Sequence, residues 1–309
     1  MAMTLGHWLV PSCGPDAAPT RALNERAREF AYASHASATR RAYRADFRDF
    51  ERWCARASAS SLPARPNKVA LYLADIAGRL CARTAARRLG AIGLAHRVAR
   101  YDDPSKDPVV RSVVAGIKRT FGAAQKRKDP VRLAHLQRMV SAISENTPKE
   151  IRDRALLLAG FAGALRRAEL VNHDCADVTF DDKGEILKIR RSKTDQFADG
   201  AIVGIPWGQS LDTCPVSALK AWMRVLNCDH GLLFRSINRH GRMGNRLSGD
   251  SVARIVMKRA VAQGLTGKSF GAHSLRAGFV TEAAARGVPE RDIMAQTRRR
   301  SPAVMRAYI

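Results

Sequence analysis

The run 123–132, AAQKRKDPVR, constrains this 309-residue chain more than any other stretch. It holds the consecutive basic residues Lys126, Arg127 and Lys128, then Asp129-Pro130, with no apolar period. Proline ends the preceding helix, so the run reads as a basic linker. Before it, from about Arg21 to Gly122, apolar residues recur with helical spacing throughout. After it, three short strand-like runs interrupt helical patterns. The expectation is a mainly α chain of two domains. An all-α domain spans 21–122, and an α+β domain with a small antiparallel sheet spans 133–309. Residues 1–20 are expected to be disordered or loosely attached.

The strongest helical segment is Ser37–Arg56, with Ser37 and Thr39 as candidate caps. At 100° per residue Tyr43, Phe47, Phe50 and Cys54 share one face, which reads as core. Arg41, Arg44, Arg48 and Arg52 share another, which is either a solvated face or a contact with phosphates. Further helices are expected at 67–80, 84–100 and 108–121, the second carrying Arg87 and Arg88. In the second half the pattern predicts helices at 133–144, 149–163, 215–226, 248–263, 274–286 and 290–297, with a last turn from Pro302. Strands are expected at 178–180, 185–190 and 201–205.

Charge narrows the partner. Lys plus Arg total 53 against 28 Asp plus Glu, a net charge of +25. Such an excess suits a polyanion, because each neutralised phosphate releases condensed counterions. The basic linker, with Lys126, Arg127 and Lys128, could lie along a phosphate backbone or be a solvated hinge. The six cysteines show no CxxC and no paired spacing, so reduced thiols in a cytoplasmic protein are expected and metal or redox chemistry is not. The longest apolar run, 155–165, is too short to span a bilayer.

Four segments carry residues able to act on a phosphodiester. Arg166 lies in GALRRAEL, with Glu169 three positions on. His273 and Arg276 form an HxxR pair that shares one helix face. Lys193 sits in RRSKT between two expected strands. Tyr308 closes the sequence in AVMRAYI. Arginine forks hold nonbridging oxygens, and a phenol set among cations is favoured as phenolate. Each segment alone is weak evidence.

Taken in order, these segments resemble the tyrosine recombinase (phage integrase) family. The resemblance extends into the first half, where SATRRAYRADFRDFERWC and RLGAIGLAH are similar to helices of that family's SAM-like core-binding domain. It implies a DNA-breaking and rejoining enzyme that needs neither metal nor cofactor. Arg166 and Arg276 would clamp the scissile phosphate, and Lys193 would protonate the leaving 5′ oxygen. His273 would position the phosphate and accept the tyrosine proton. Glu169 would buttress the site, and Tyr308 would attack to give a 3′-phosphotyrosyl link. The partners implied are double-stranded DNA, reached in part through Arg41, Arg44, Arg48, Arg52, Arg87 and Arg88, and further copies of the chain in a tetrameric synapse.

Two departures qualify the resemblance. Arg299 stands nine positions before Tyr308, where the family carries histidine or tryptophan, so cleavage is expected to survive but to be slowed. The sequence ends one residue past Tyr308, so weak tetramerisation is also expected. The alternatives are a recombinase relic that only binds DNA and a type IB topoisomerase.

Overall fold

In the computed structural model, the described residues are 18–122, 128–190, 200–265, 269–299 and 301–302. The chain forms two compact units, Met1–Lys126 and Arg127–Ile309.

The first unit is all-helical: α1 (Ala18–Ala33), α2 (Ser37–Arg56), α3 (Pro66–Ile76), α4 (Ala82–Val98) and α5 (Pro108–Phe121). The apolar stripe of α2 is buried as its spacing requires. Phe47, Phe50 and Cys54 pack with Tyr72 and Leu73 of α3, Ile92 of α4 and Val110 of α5. Tyr43 is only half-buried. Neither Ser37 nor Thr39 caps α2; the cap position is Ala36, which makes no side-chain cap bond, and both hydroxyl residues lie within the helix. Helix α3 stops at Ile76, short of the expected Leu80, because Ala77 turns extended and Gly78 enters the left-handed region at φ 76°. His96, fully buried, accepts the Ala64 N–H at Nε2, 2.8 Å. Its Nδ1 must then carry the proton, which it donates to Ile92 O at 2.8 Å. This arrangement needs a neutral ring, and burial holds the His96 pKa below its ordinary value.

The second unit begins with α6 (Leu133–Ser141), α7 (Pro148–Ala162) and α8 (Arg167–Asn172). An antiparallel sheet follows, β1 (Val178–Phe180), β2 (Gly184–Ile189) and β3 (Ala201–Pro206), in the order β1-β2-β3. Thr179 faces Ile186, and Leu187 faces Val203. Next come α9 (Pro215–Leu226), a hairpin of β4 (Arg235–Ile237) and β5 (Met243–Arg246), then α10 (Gly249–Val261), α11 (Ala272–Ala285) and α12 (Glu290–Thr297). The strands alternate as a one-sided sheet must, with Leu187, Ile189, Val203 and Ile205 turned to the core. That core gathers Leu156 and Leu157 of α7, Trp222 of α9, Val252 of α10 and Leu275 of α11. Trp222 satisfies its indole by donating to Leu233 O at 2.7 Å. Glu185 breaks the pattern of β2: it is buried with both carboxyl oxygens unpartnered. Burial pushes its pKa up to about 8; the Cys214 thiol adds to the rise and Lys220 opposes it.

The segment entering the second unit is fastened to α11 and to the residues just before it. Asp129 N–H donates to Ser269 O at 2.8 Å and Val131 N–H to Ser274 O at 2.9 Å. The approach is so close that a Cβ at Gly278 would sit 1.9 Å from Val131 O, so only glycine fits there. The last residues of the run read as linker therefore belong to this unit.

Candidate active site

Helix α7 ends at Gly163, and the chain turns through Ala164 at φ 45° to reach Arg166, the cap of α8. Arg166 and Glu169 close on each other across that first turn. The Arg166 N–H donates to Glu169 Oε2 at 2.8 Å, and its Nη1 to Oε1 at 2.5 Å. Glu169 is buried and cannot follow solvent. Burial alone would raise its pKa, but the cations Arg298 and Arg166 and the Arg166 N–H outweigh it and hold the carboxyl below the usual range.

Arg276 rises from α11 into the same region and is almost wholly buried. Its Nη1 donates to Ala164 O at 2.6 Å and its Nη2 to Thr297 O. Desolvation presses its pKa down to about 9; Arg166, Arg298 and Arg299 push the same way, and Glu169 opposes. Cations packed this closely, with one carboxylate among them, favour an entering anion. His273 lies on the first turn of α11, exposed, three residues before Arg276. Arg299 follows α12, half-buried, its N–H bonded to Met294 O at 3.1 Å. The fold thus brings Arg166, Glu169, Arg276 and Arg299 together, with His273 on the helix of Arg276. Lys193 and Tyr308 lie outside the described residues.

Arg298 joins this cluster although sequence reasoning did not single it out. Its Nη2 lies 2.8 Å from Glu169 Oε2, and its backbone carbonyl accepts from Arg166 Nη2 at 3.2 Å. The run Thr297-Arg-Arg-Arg-Ser301 gave no sign of which arginine turns inward. Two further arginines brace the frame. Arg190, at the end of β2, bonds Asp177 at 2.7 Å and Asp174 at 3.0 Å. Arg246 of β5 reaches Asp174 at 2.7 Å and Val171 O at 2.8 Å, binding the unexpected hairpin to the end of α8.

In the first unit Arg41, Arg48 and Arg52 are exposed on α2, and Arg44 is half-buried. Arg87 stays largely open while touching Asp46 at 3.2 Å. Arg88, expected with Arg87 as a DNA contact, is placed differently from it. It is turned inward, paired with Asp49 and bonded to Tyr72 Oη at 2.7 Å. Lys128 is exposed; Lys126 and Arg127 lie outside the described residues. Among the described residues no group of His, Cys, Asp and Glu could hold a metal ion, and no helix is long and apolar enough to cross a membrane. Cys175 and Cys228, far apart in sequence, come to 4.0 Å between sulfurs.

Residues 131–309 match the family model described as the phage integrase family. The chain belongs to that family. An integrase/recombinase xerD homolog of Selenomonas ruminantium is 37% identical over 280 residues, covering 89% of this chain and 82% of the relative. Two solved structures share the fold. The XerH site-specific recombinase bound to palindromic difH substrate, a post-cleavage complex, aligns with a TM-score of 0.65 at 17% identity, over 93% of this chain and 80% of that one. A lambda integrase dimer bound to a COC′ core site aligns with a TM-score of 0.62 at 15% identity, over 96% and 81%. The integrase is therefore an enzyme of DNA recombination, a tyrosine-type site-specific recombinase.

Proposed function

We propose that this integrase cleaves and rejoins double-stranded DNA through a 3′-phosphotyrosyl link on Tyr308. The observation that carries the reading is the convergence of Arg166 and Arg276 on one turn, with the buried Glu169 beneath them. Two such forks would hold the nonbridging oxygens of one phosphate as charge shifts during transfer. The Tyr308 oxygen attacks phosphorus while the bond to the 5′ oxygen breaks. His273 takes the phenol proton, and Lys193 gives a proton to the leaving 5′ oxygen. A 5′ hydroxyl from a partner strand then attacks the phosphotyrosine, frees the tyrosine and restores the phosphodiester. Bond energy is conserved, so no nucleotide is spent.

Binding would draw on Arg41, Arg44, Arg48, Arg52 and Arg87 of the first unit and on Lys126, Arg127 and Lys128, through phosphate contacts that weaken as salt rises. Strand exchange requires several copies on DNA, a tetrameric synapse, which sedimentation of the protein–DNA complex tests. Arg299 would donate to a phosphate oxygen from the histidine position but could not exchange protons near neutral pH. Arg299→His is accordingly expected to raise the cleavage rate, measured in single turnover.

The deciding experiment selects duplexes from a randomised pool by binding to the intact chain, nicks them at successive positions, and looks for covalent protein–DNA adducts. An adduct mapped to Tyr308 and lost in Tyr308→Phe, with binding retained, supports the reading. Binding with no adduct from any nicked duplex leaves a DNA-binding protein only. Relaxation of supercoiled DNA at no preferred site points instead to a topoisomerase.

A further inference from the structure

Helix α12 stops at Thr297, and its cap, Arg298, adopts the left-handed conformation at φ 52° and ψ 43°. Glycine reaches this region without a Cβ penalty, and other residues hold it only where their surroundings compensate the strain. The Arg298 side chain supplies that compensation. It is largely buried, with Nη1 donating to Gln296 O at 2.7 Å and to Gly163 O at 3.4 Å. Nη2 donates to Ala164 O at 3.3 Å and to Glu169 Oε2 at 2.8 Å. One guanidinium therefore ties the end of α12, the turn after α7 and the first turn of α8. It also divides the labour of Glu169: Oε2 is shared by Arg298 and the Arg166 N–H, while Oε1 meets the Arg166 guanidinium.

We infer that Arg298 is a positioning residue for DNA cleavage, anchoring Glu169 so that Glu169 in turn holds Arg166 at the scissile phosphate. The inference rests on the proposed role of Arg166 as a phosphate clamp. Arg298 need not touch DNA to act. Without Arg298 the carboxylate would be held from one side only, by the Arg166 N–H and guanidinium, with nothing tying it to the end of α12. Small misplacements of a clamping group slow catalysis severely.

The charges facing Glu169 come from three helices. Arg166 stands at the start of α8 and Arg298 at the end of α12, and Arg276 projects from α11. His173, just past α8, also lies near it; burial keeps that imidazole neutral, with Asp177 as the second acid beside it. Burial works to protonate Glu169, and Arg298 is the largest of the opposing influences. With Arg298 present the carboxylate stays charged to below the ordinary glutamate range. Without it, the balance moves toward burial, Glu169 takes a proton at higher pH than in the unaltered chain, and its grip on Arg166 is lost there. The acid limb of cleavage should therefore move upward in pH.

The test uses the full chain and a duplex selected from the randomised pool, nicked to trap the Tyr308 adduct. Arg298→Gly removes the side chain and relieves the left-handed backbone, and Arg298→Met keeps the buried stem if the glycine variant does not fold. Either is expected to bind the duplex with unchanged affinity, to form adduct about tenfold to a hundredfold more slowly at neutral pH, and to lose cleavage at a higher pH than the unaltered chain. In a Glu169→Gln background the same substitution should leave the acid limb where it is. Unchanged rates and an unmoved acid limb would overturn the inference, as would a limb that still shifts in the Gln background. Failure of the unaltered chain to form adduct would instead sink the proposed function.

Discussion

Asp46 in the first unit and Glu169 in the second are both buried carboxylates, and each meets two arginines. Yet they depart from ordinary behaviour in opposite directions. Burial raises Asp46 despite Arg87 and Arg88, with Asp49 adding to the rise, whereas Glu169 is lowered despite burial. The difference lies in what the arginines are free to do. Arg87 is 44% exposed and touches Asp46 at 3.2 Å, Arg88 stands 3.7 Å away, and the second Asp46 oxygen has no hydrogen bond. Arg166 and Arg298 are 19% and 10% exposed, lie at 2.5 and 2.8 Å, and are joined by a backbone N–H. A cation screened by water, as Arg87 is, or held off by other partners, as Arg88 is, offsets little of a carboxylate's desolvation. Two that close on it at hydrogen-bond distance, together with a backbone N–H, offset more than all of it. In the first unit Arg87 keeps its charge in solvent and Arg88 gives its own to Asp49 and Tyr72. The second locks its cations into a fixed frame.

The largest effect expected from this contrast is at Glu169. Glu169→Gln leaves Arg166 and Arg298 without their countercharge and should destabilise the second unit by about 3–5 kcal/mol, read from denaturant unfolding of the full chain. A loss under about 1 kcal/mol would erase the contrast.

Glu185 supplies the limiting case, a buried carboxyl with no hydrogen-bond partner. Its folded pKa of about 8 stands above the ordinary 4.5, so the folded state holds the proton longer than the unfolded chain. Stability is full below 4.5 and declines as pH rises to about 8, a linkage worth about 3 kcal/mol at pH 7. Glu185→Gln should flatten that decline and stabilise the protein at pH 7, measured as unfolding midpoints from pH 4 to 9. Midpoints that rise across this range in the unaltered chain would contradict the assignment.

His96 gives the opposite slope in the first unit. Its folded pKa is depressed, so its contribution is present above the ordinary histidine value and is lost as pH falls through the folded one. Protonation removes the acceptor for the Ala64 N–H, a buried bond worth about 1–3 kcal/mol when left unmade. Unfolding of the first unit should become easier as pH falls, and His96→Gln should blunt the trend.

Smallest of all, Asp46→Asn should change stability by less than about 1 kcal/mol, since Arg88 keeps Asp49 and the Tyr72 hydroxyl. A cost matching that of Glu169→Gln would show the two carboxylates to be equivalent after all.

Much of this frame was legible in the residues. Helices α2, α5, α9 and α12 begin and end where the pattern of apolar residues and prolines puts them. The three strands of the sheet differ from expectation by a residue or so at their ends. The hairpin β4–β5 was not legible, because its strands are three and four residues long, mostly polar, and its turn is organised by Asn238 accepting from the His240 and Arg242 N–H groups. In the site, order and context singled out Arg166, Glu169, His273 and Arg276 as candidates, and the fold gathers Arg166, Glu169 and Arg276 at one turn. The inward turn of Arg88 and Arg298 was hidden. A stripe or run of like charges carries no mark of which member meets a buried acid from a distant segment. The approach of Cys175 to Cys228 was hidden as well, because 53 residues separate them and no spacing marks the pair.

The fastening of Asp129 and Val131 to α11 and the residues just before it has a practical consequence for dissecting the protein. Val131 is fully buried in the second unit's core, and its carbonyl fills the space that Gly278 leaves open. A fragment begun at Leu133, where the first helix of that unit starts, would lack a piece of its own interior and expose the flank of the helix that bears Arg276. A fragment meant to carry the second unit whole must begin no later than Lys128, so that the Asp129 and Val131 N–H bonds are kept.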